Sequence, residues 1–248
     1  MKYIACVIPA RLKSTRFPKK MLSFLRGKPL LQWVWEAASM CGHFHKVLIA
    51  VDAEETAQLV ESFGAEWVMT SENHPSGTDR LIEVMNKKIV QADIWVNWQG
   101  DEPFIKKEMI DDLLQSLSDG SDIWTLKTRT SSLDALNPHI AKVVCDAEGH
   151  ALYFSRSQIP FYRDEKEDQK KYIYKHVGIY AYSAKALEKI ERFSPCSIEV
   201  AEQLEQLRYL FHGLKVKVHE TTFDVFGIDL PEHLVKAEEY CKQLDICV

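Results

Sequence analysis

Short apolar runs alternate with amphipathic stretches through the first half of the chain. Four β-favouring runs are too short for helices and predict strands: Tyr3 to Ile8, Lys46 to Asp52, Glu66 to Met69 and Asp93 to Trp98. Between them apolar residues recur at helical spacing, as in Pro29 to Cys41. Strands that alternate with helices predict βαβ units and a parallel sheet.

Breaker and capping residues set the expected bounds of these elements. Pro9 is expected to end the first strand. The pair Asp52 and Glu55 has the spacing of a capping box, which would open a helix to Phe63. Ser76 or Thr78 can cap the next helix, and a further helix is expected near residues 106–117.

In the second half of the chain, predicted strands and helices no longer alternate regularly. Further strands are expected at Ile123 to Thr128, Lys142 to Asp146, Ala151 to Ser155, Tyr172 to Tyr182 and Leu214 to His219, with helices at Ala184 to Phe193, Ile198 to His212 and from Pro231. The helix Ile198 to His212 is expected to bury Val200, Leu204, Leu207 and Phe211, and Glu205 and Arg208 have the spacing of an ion pair. The polar segment 163–171 predicts a surface loop.

Composition narrows the class of protein. The 248 residues are 46% hydrophobic and 27% charged, which is ordinary for one globular domain spanning 1–248. A net charge of -5 argues against a nucleic-acid partner. The six cysteines form no CxxC pair, so free thiols and a cytoplasmic location are expected. No apolar run reaches about 18 residues, so membrane insertion is not expected.

A basic stretch follows the first predicted strand. Five cations and two hydroxyls fall within ten residues: Arg11, Lys13, Ser14, Thr15, Arg16, Lys19 and Lys20. Guanidinium and ammonium groups at the carboxyl end of a first strand are suited to a polyphosphate. The alternative is a solvated basic loop.

Acidic residues are placed to complement this stretch. Asp101 follows a strand whose carboxyl end should lie beside the first, and Mg²⁺ commonly bridges such a carboxylate to phosphates. Asp229 stands two residues before Pro231, where spacing favours a helix cap. Spacing alone favours an exposed Arg80 paired with Glu83.

These residues form blocks in a fixed order along nearly the whole chain. They are Arg11-x-x-Ser14-Thr15-Arg16-x-Pro18-x-Lys20, Gly27-Lys28-Pro29, Ser76-Gly77-Thr78-Asp79-Arg80, Gln99-Gly100-Asp101-Glu102-Pro103, Ala151-Leu152-Tyr153-Phe154-Ser155-Arg156, His176-Val177-Gly178-Ile179-Tyr180, Glu205-Gln206-Leu207-Arg208 and Gly227-Ile228-Asp229. In this pattern the chain resembles the sugar-acid cytidylyltransferases, specifically the CMP-3-deoxy-manno-octulosonate (CMP-Kdo) synthetase family. Lys19-Lys20-Met21 replaces the usual Gly-Lys-Pro, and Val225-Phe226-Gly227 replaces Gly-Thr-Gly.

The resemblance implies a fold, a reaction and a set of site residues. The fold would be a Rossmann-like, three-layer α/β/α nucleotidyltransferase with a mostly parallel mixed sheet and an arm near 142–182 for sugar closure and dimerisation. The reaction would join CTP and Kdo to give CMP-Kdo and diphosphate for lipopolysaccharide biosynthesis. Lys20, Arg16, Asp101 and Asp229 would be catalytic, the last two as Mg²⁺ ligands; Pro9, Ala10, Arg11, Ser14, Lys20, Ser76, Gly77, Arg80, Gln99 and Asp101 would bind the nucleotide; Arg156, His176, Tyr180, Glu202 and Gln206 would bind the sugar.

Alternatives differ in how the nucleotide is used. A close analogue such as 8-amino-Kdo could replace Kdo, because that difference can rest on one or two contacts. A glycosyltransferase of related topology would consume a nucleotide-sugar, but the chain has no Asp-x-Asp motif. A non-catalytic nucleotide sensor would be expected to lose a metal carboxylate or the lysine, and Asp101, Asp229 and Lys20 are all present. The role of Glu199 stays open, since it suits general acid chemistry or solvation.

Overall fold

The structure is a computed structural model that describes residues 2–13, 17–163 and 172–243. Its strands are β1 (Ile4–Ala10), β2 (Phe24–Leu25), β3 (Lys28–Pro29), β4 (Lys46–Val51), β5 (Trp67–Met69), β6 (Ile94–Asn97), β7 (Ile123–Arg129), β8 (Lys142–Cys145), β9 (Ala151–Ser155), β10 (Tyr174–Ser183) and β11 (Val216–Glu220). Its helices are α1 (Leu30–Met40), α2 (Glu54–Ser62), α3 (Gly77–Asn86), α4 (Lys107–Leu114), α5 (Ser132–Leu136), α6 (Ala184–Ile190), α7 (Ser197–Glu202), α8 (Gln206–Phe211) and α9 (Pro231–Gln243), with a 3₁₀ turn at Lys20–Leu22.

The chain divides into two compact units, which are described separately. Unit 1 comprises Met1–Ile110 and Val225–Val248, and unit 2 comprises Asp111–Asp224. Unit 1 is therefore built from two distant pieces of the chain.

Unit 1 contains a parallel sheet in the order β6-β1-β4-β5. Every residue of β1 is buried, as expected of a central strand with helices on its faces. The expectation that Pro9 ends this strand is wrong, because β1 continues to Ala10. Pairing with β6 stops at Val7, so Pro9 pairs only with β4, where its missing N–H is tolerated.

Capping residues predict two helix starts in unit 1, and the structure confirms one of these two caps. Ser76 caps α3, since its Oγ accepts the Asp79 N–H at 3.2 Å while the Asp79 carboxylate accepts the Ser76 N–H. The Asp52 capping box is wrong. Helix α2 begins after Ala53 without a side-chain cap, because the Asp52 carboxylate is bound by distant partners.

Unit 2 contains strands in the order β11-β7-β10, with β8 paired to β10 and β9 to β8. The β7 to β11 pair is parallel and the other pairs are antiparallel. The pairing register of β10 with β7 shifts between Val177 and Tyr180, which forms a bulge in β10. The Thr125 hydroxyl fills this bulge, lying 3.2 Å from the Val177 carbonyl and 2.8 Å from the Ile179 carbonyl.

The single helix predicted over Ile198 to His212 is wrong. The chain forms α7 and α8 instead, because Gln203 adopts a left-handed conformation with φ 52°. Leu204 and Leu207 are buried as expected, but Val200 and Phe211 are each 60% exposed. The break removes those two side chains from the stripe that a continuous helix would bury.

Two further sequence predictions concern membranes and cysteines. Within the described ranges, no helix combines the length and hydropathy needed to cross a bilayer. Cys6, Cys41, Cys145, Cys196 and Cys241 are free, as predicted, and Cys247 lies outside the described residues.

Candidate active site

A cavity of about 180 Å³ opens in unit 1 where β1 and β6 end. Its lining residues are Pro9, Arg11, Lys20, Met21, Pro75, Ser76, Gly77, Arg80, Gln99, Asp101 and Asp229. Eight of the predicted nucleotide-binding positions are in this set, and Met21 and Pro75 had not been predicted. Ala10 is not among the described lining residues, because its side chain is buried in the core.

Lys20 lies between two carboxylates of this cavity. Its Nζ donates to Asp101 Oδ2 at 2.5 Å and to Asp229 Oδ1 at 3.2 Å. The Lys20 side chain is 7% exposed, against 22% for Asp101 and 40% for Asp229. The ammonium of Lys20 is therefore the least accessible of these three charged groups, and the two carboxylates are more exposed to the cavity.

Backbone contacts bring the late carboxylate to the early one. The Ile228 N–H donates to the Asp101 carbonyl at 2.8 Å, and the Asp229 N–H donates to His233 Nδ1 at 3.2 Å. A Cβ on Gly227 would lie 2.7 Å from Glu102 Oε1, so a larger residue here would displace the Glu102 side chain. Asp229 does stand just before α9, as the cap interpretation required, but its carboxylate reaches Lys20.

Two side chains pack closely against Gly77, at the start of α3. A Cβ there would lie 2.9 Å from Gln99 Nε2 and 3.2 Å from Pro9 Cγ. Gln99 Nε2 donates to Asn97 Oδ1 at 2.8 Å, which fixes the amide. The side chain of Gln99 is thereby held against the first turn of α3.

Arg80 lines the cavity but is buried and already paired. Its Nη2 donates to Asp52 Oδ2 at 2.7 Å, and its Nη1 donates to Thr70 Oγ1 at 2.8 Å and to the Ser71 carbonyl at 3.1 Å. The alternative of an exposed Arg80 paired with Glu83 is wrong. Glu83 instead accepts from the Ser71 N–H and lies 2.5 Å from His74 Nε2.

The basic stretch divides into cations with different partners. Arg11 lines the cavity, whereas Lys13 is bound to Glu72 and Lys19 to Glu55 on the exposed surface. The hydrogen bond to Glu72, together with the charge of that carboxylate, raises the pKa of Lys13. The predicted site residues Ser14 and Arg16 lie outside the described residues.

The five predicted sugar-binding residues all belong to unit 2, where Arg156 directly follows β9 and the others lie on β10, α7 and α8. Glu202 accepts from the Ser155 hydroxyl at 2.6 Å and from the Arg156 N–H at 2.8 Å. Gln206 begins α8 and is 6% exposed, and Tyr180 is 9% exposed on β10. Burial raises the pKa of the Tyr180 hydroxyl well above its usual value.

The Arg156 guanidinium binds backbone carbonyls. Nε donates to the Glu202 carbonyl at 2.7 Å, Nη2 to the Gln203 carbonyl at 3.1 Å, and Nη1 to the Pro138 carbonyl at 3.1 Å. The first two carbonyls would bond to amides of α8 in a continuous helix. Arg156 thus satisfies carbonyls that the break at Gln203 leaves without helical partners, and its contact with the sugar stays a prediction.

His176 is held as a neutral ring. Burial lowers its pKa to about 3, and its ring contacts Phe154 and Tyr180 at centroid distances of 5.1 and 5.2 Å. Its Nε2 lies 2.9 Å from Thr125 Oγ1. Since the single Thr125 proton is best directed to a bulge carbonyl, Nε2 carries the hydrogen and donates to Oγ1.

Two other charged side chains in unit 2 have structural partners. Arg208 makes its direct ion pair with Glu199, through Nη2 at 2.5 Å from Oε1 and Nε at 2.8 Å from Oε2. Glu199 is the first cause of the raised pKa of Arg208, and the charge of the predicted partner Glu205 raises this pKa by a smaller amount. Lys142 is fully buried and donates to the carbonyls of Asn137, Ile140 and Arg156. Burial, with the Arg156 charge second, lowers the pKa of Lys142. A lone lysine in a strand gave no sequence signal for this role.

Asp101 and Asp229 are the two carboxylates among the described residues that line the cavity. The described residues contain no cluster of three or more His, Cys, Asp or Glu side chains able to hold a metal. Two carboxylates that need substrate phosphates and water to complete the coordination fit Mg²⁺, which keeps waters and binds phosphates. The donor set is thus compatible with the predicted cofactor.

Similarity to known sequences covers almost the whole chain. A family model described as Cytidylyltransferase matches residues 5–217. A 3-deoxy-manno-octulosonate cytidylyltransferase from Thermodesulfovibrio yellowstonii is 46% identical over 94% of this chain and 96% of its own. One of the same name from Geobacter metallireducens is 44% identical over 98% of this chain and 99% of its own.

Solved structures agree with this similarity. A CMP:2-keto-3-deoxy-manno-octonic acid synthetase complexed with CTP superposes with a TM-score of 0.92 and 39% identity, covering 98% of this chain and 99% of the other. A 4-diphosphocytidyl-2C-methyl-D-erythritol synthase from Anaerococcus prevotii has a TM-score of 0.66 at 14% identity, which shows a shared fold alone. The predicted α/β nucleotidyltransferase fold is confirmed.

Proposed function

Because the chain belongs to the cytidylyltransferase family, we propose that it activates a sugar acid with CTP. The reaction is CTP plus 3-deoxy-manno-octulosonate giving CMP-Kdo and diphosphate, a step that serves lipopolysaccharide biosynthesis. The observation that carries the proposal is the buried Lys20 between Asp101 and Asp229, in a cavity lined by the predicted nucleotide residues. The names of the relatives favour Kdo over its 8-amino analogue.

The chemistry is an in-line displacement at phosphorus. The anomeric hydroxyl oxygen of Kdo bonds to the α-phosphorus of CTP, and the bond from that phosphorus to the oxygen bridging to the β-phosphate breaks. Diphosphate leaves with that electron pair, and the hydroxyl proton passes to water. Such transfers need mainly positioning and charge stabilisation from the protein.

The residues of unit 1 divide this work. Lys20, with Arg11 and the predicted Arg16, stabilises the negative charge that develops on the departing diphosphate. Ser76, Gly77, Gln99 and the Pro9 to Arg11 segment hold the cytidine. Ser76 caps α3, whose first-turn amides point toward a ligand at the helix N-terminus.

Asp101 and Asp229 would hold Mg²⁺ together with the triphosphate. When bound, the ion would neutralise phosphate charge and orient the α-phosphate for attack. Without a cation, two carboxylates would repel a triphosphate. Lys20 alone cannot neutralise both carboxylates and the substrate, and this imbalance supports the proposed metal.

The sugar is assigned to residues around the end of β9. Tyr180, Gln206 and Glu202 can present hydroxyl, amide and carboxylate groups to sugar hydroxyls, while Arg156 and His176 support this region through carbonyl and hydroxyl contacts. His176 is neutral near pH 7 and takes no part as an acid. The homodimer, the cytoplasmic location and the arm near 142–182 stay predictions.

Release of diphosphate tests the proposal directly. We expect release from CTP and Kdo with Mg²⁺, and none when Kdo is omitted or when EDTA is added. UTP in place of CTP should give a much lower rate. Equal rates with and without Kdo would indicate a hydrolase, and CTP binding without any turnover would favour the nucleotide sensor.

A further inference from the structure

Asp52, which directly follows β4, shares its carboxylate between two partners within unit 1. Oδ1 accepts the Leu12 N–H at 2.8 Å, and Oδ2 accepts Arg80 Nη2 at 2.7 Å. The side chains of Asp52 and Arg80 are 5% and 2% exposed. A buried carboxylate is costly unless its oxygens are bound, so both contacts are needed.

Arg80 is itself fixed, which makes Asp52 a rigid anchor. The second guanidinium nitrogen of Arg80 is held by Thr70 Oγ1 and the Ser71 carbonyl, just after β5. Asp52 is therefore attached to α3 and to the end of β5 through one side chain.

The Leu12 N–H lies in the segment that contains the cavity cations. Leu12 follows Arg11, which lines the cavity, and precedes the remainder of the basic stretch up to Lys20. A charge-assisted bond to a backbone N–H sets the direction in which the chain leaves β1. Shifts of about 1 Å in groups that position a substrate can cost about 100-fold in rate.

We propose that Asp52 is a positioning residue for the triphosphate: by fixing the Leu12 N–H it orients the adjacent Arg11, which lines the cavity, toward the β- and γ-phosphates. This inference rests on the proposed use of CTP. A carboxylate beside a triphosphate would ordinarily repel it, but Arg80 neutralises Asp52. Arg80 thereby acts on the nucleotide through Asp52 as well as by lining the cavity.

Binding without sugar tests this role, using calorimetry with CTP and with CMP, which lacks the two outer phosphates. Asp52→Ala removes both contacts, and Asp52→Asn keeps an oxygen for Leu12 but loses the charge. We expect the Kd for CTP to rise about tenfold or more in Asp52→Ala and less in Asp52→Asn, as for loss of a charge-assisted bond. The Kd for CMP should stay within about twofold.

A matched control separates positioning from general loss of stability. Glu199→Gln breaks the buried Glu199–Arg208 fork in unit 2, whose side chains are 12% and 14% exposed. This control should leave the Kd for CTP unchanged. All variants are measured at a temperature where circular dichroism shows them folded, and Asp52→Asn decides the matter if Asp52→Ala does not fold.

Three results would overturn the inference. They are an unchanged Kd for CTP in the Asp52 variants, an equal rise for CTP and CMP, and a comparable rise in Glu199→Gln. Failure of the unsubstituted protein to bind CTP would instead overturn the proposed function, and this inference with it.

Discussion

Lys20 Nζ lies 2.5 Å from Asp101 Oδ2, although the two residues are 81 positions apart in the chain. The same ammonium reaches Asp229, 209 positions away. One buried cation therefore holds together the two carboxylates on which the proposed metal site depends. Substitution at any of these three residues is expected to have a distinct kinetic signature.

Lys20→Ala should lower turnover much more than it changes the KM for Kdo. The leaving diphosphate gains charge in the transition state, so a cation beside it acts differentially, and a loss of about 100-fold in kcat is expected. Lys19→Ala is the matched control, since Lys19 is directed to Glu55 and should tolerate the change. Steady-state kinetics on both variants provide the check, and a normal kcat in Lys20→Ala would remove the lysine from the mechanism.

Asp101→Asn and Asp229→Asn should each raise the Mg²⁺ concentration needed for half-maximal rate, by about tenfold for the loss of one charged ligand. Both variants should remain folded, because Lys20 keeps one carboxylate partner in each. Titration with Mg²⁺ and far-UV circular dichroism measure the two effects. An unaltered metal requirement in Asp229→Asn would return Asp229 to the role of a helix cap.

Arg156→Ala should act mainly on stability. The guanidinium satisfies carbonyls of Glu202, Gln203 and Pro138, and loss of bonds to a charged group is expected to lower the free energy of unfolding by about 2 kcal/mol. Urea denaturation measures this. The resemblance implies instead that Arg156 contacts the sugar, and an unchanged unfolding midpoint with an about tenfold higher KM for Kdo would favour that contact over a structural role.

His176 should make the protein less stable as pH falls. The pKa of His176 in the folded protein, about 3, lies below its usual value of 6.5. Between pH 3 and pH 6.5 the ring is therefore protonated in the unfolded chain and neutral in the folded protein. The contribution is fully present above pH 6.5 and is lost toward pH 3, with a slope of at most about 1.4 kcal/mol per pH unit.

Urea denaturation at pH 7 and pH 5 checks this prediction. His176→Gln should reduce the difference in unfolding free energy between the two pH values, whereas the exposed His139→Gln should not. His219, whose pKa burial also lowers, contributes with the same sign in every variant and cancels in the comparison. An identical pH dependence in His176→Gln and the parent protein would contradict the assignment.

Local signals in the sequence predicted what local interactions decide. Ser76 was correctly identified as a cap because both of its capping bonds are to Asp79, three residues away. Asp52 has the same kind of local signal, yet its carboxylate is bound by Leu12 and Arg80, which lie 40 and 28 positions away. Spacing along the chain does not show such a competitor.

The break at Gln203 was missed for a related reason. The spacing from Ile198 to His212 suits one helix, and no Gly or Pro interrupts it. The carbonyls that a continuous helix would use are bound by Arg156, 46 and 47 positions earlier. Lys142 was likewise unrecognised, because its three carbonyl acceptors come from turns that the sequence does not place.

The two-piece construction of unit 1 has a consequence for the order in which the site can form. During synthesis the β1 to β6 sheet, Lys20 and Asp101 emerge first, and all of unit 2 follows before Asp229 is made. Domains commonly begin to fold before the chain is complete. Until Val225 to Asp229 join the fold, Lys20 has one of these two carboxylate partners, so the arrangement of Lys20 between Asp101 and Asp229 can form only after unit 2 has been synthesised.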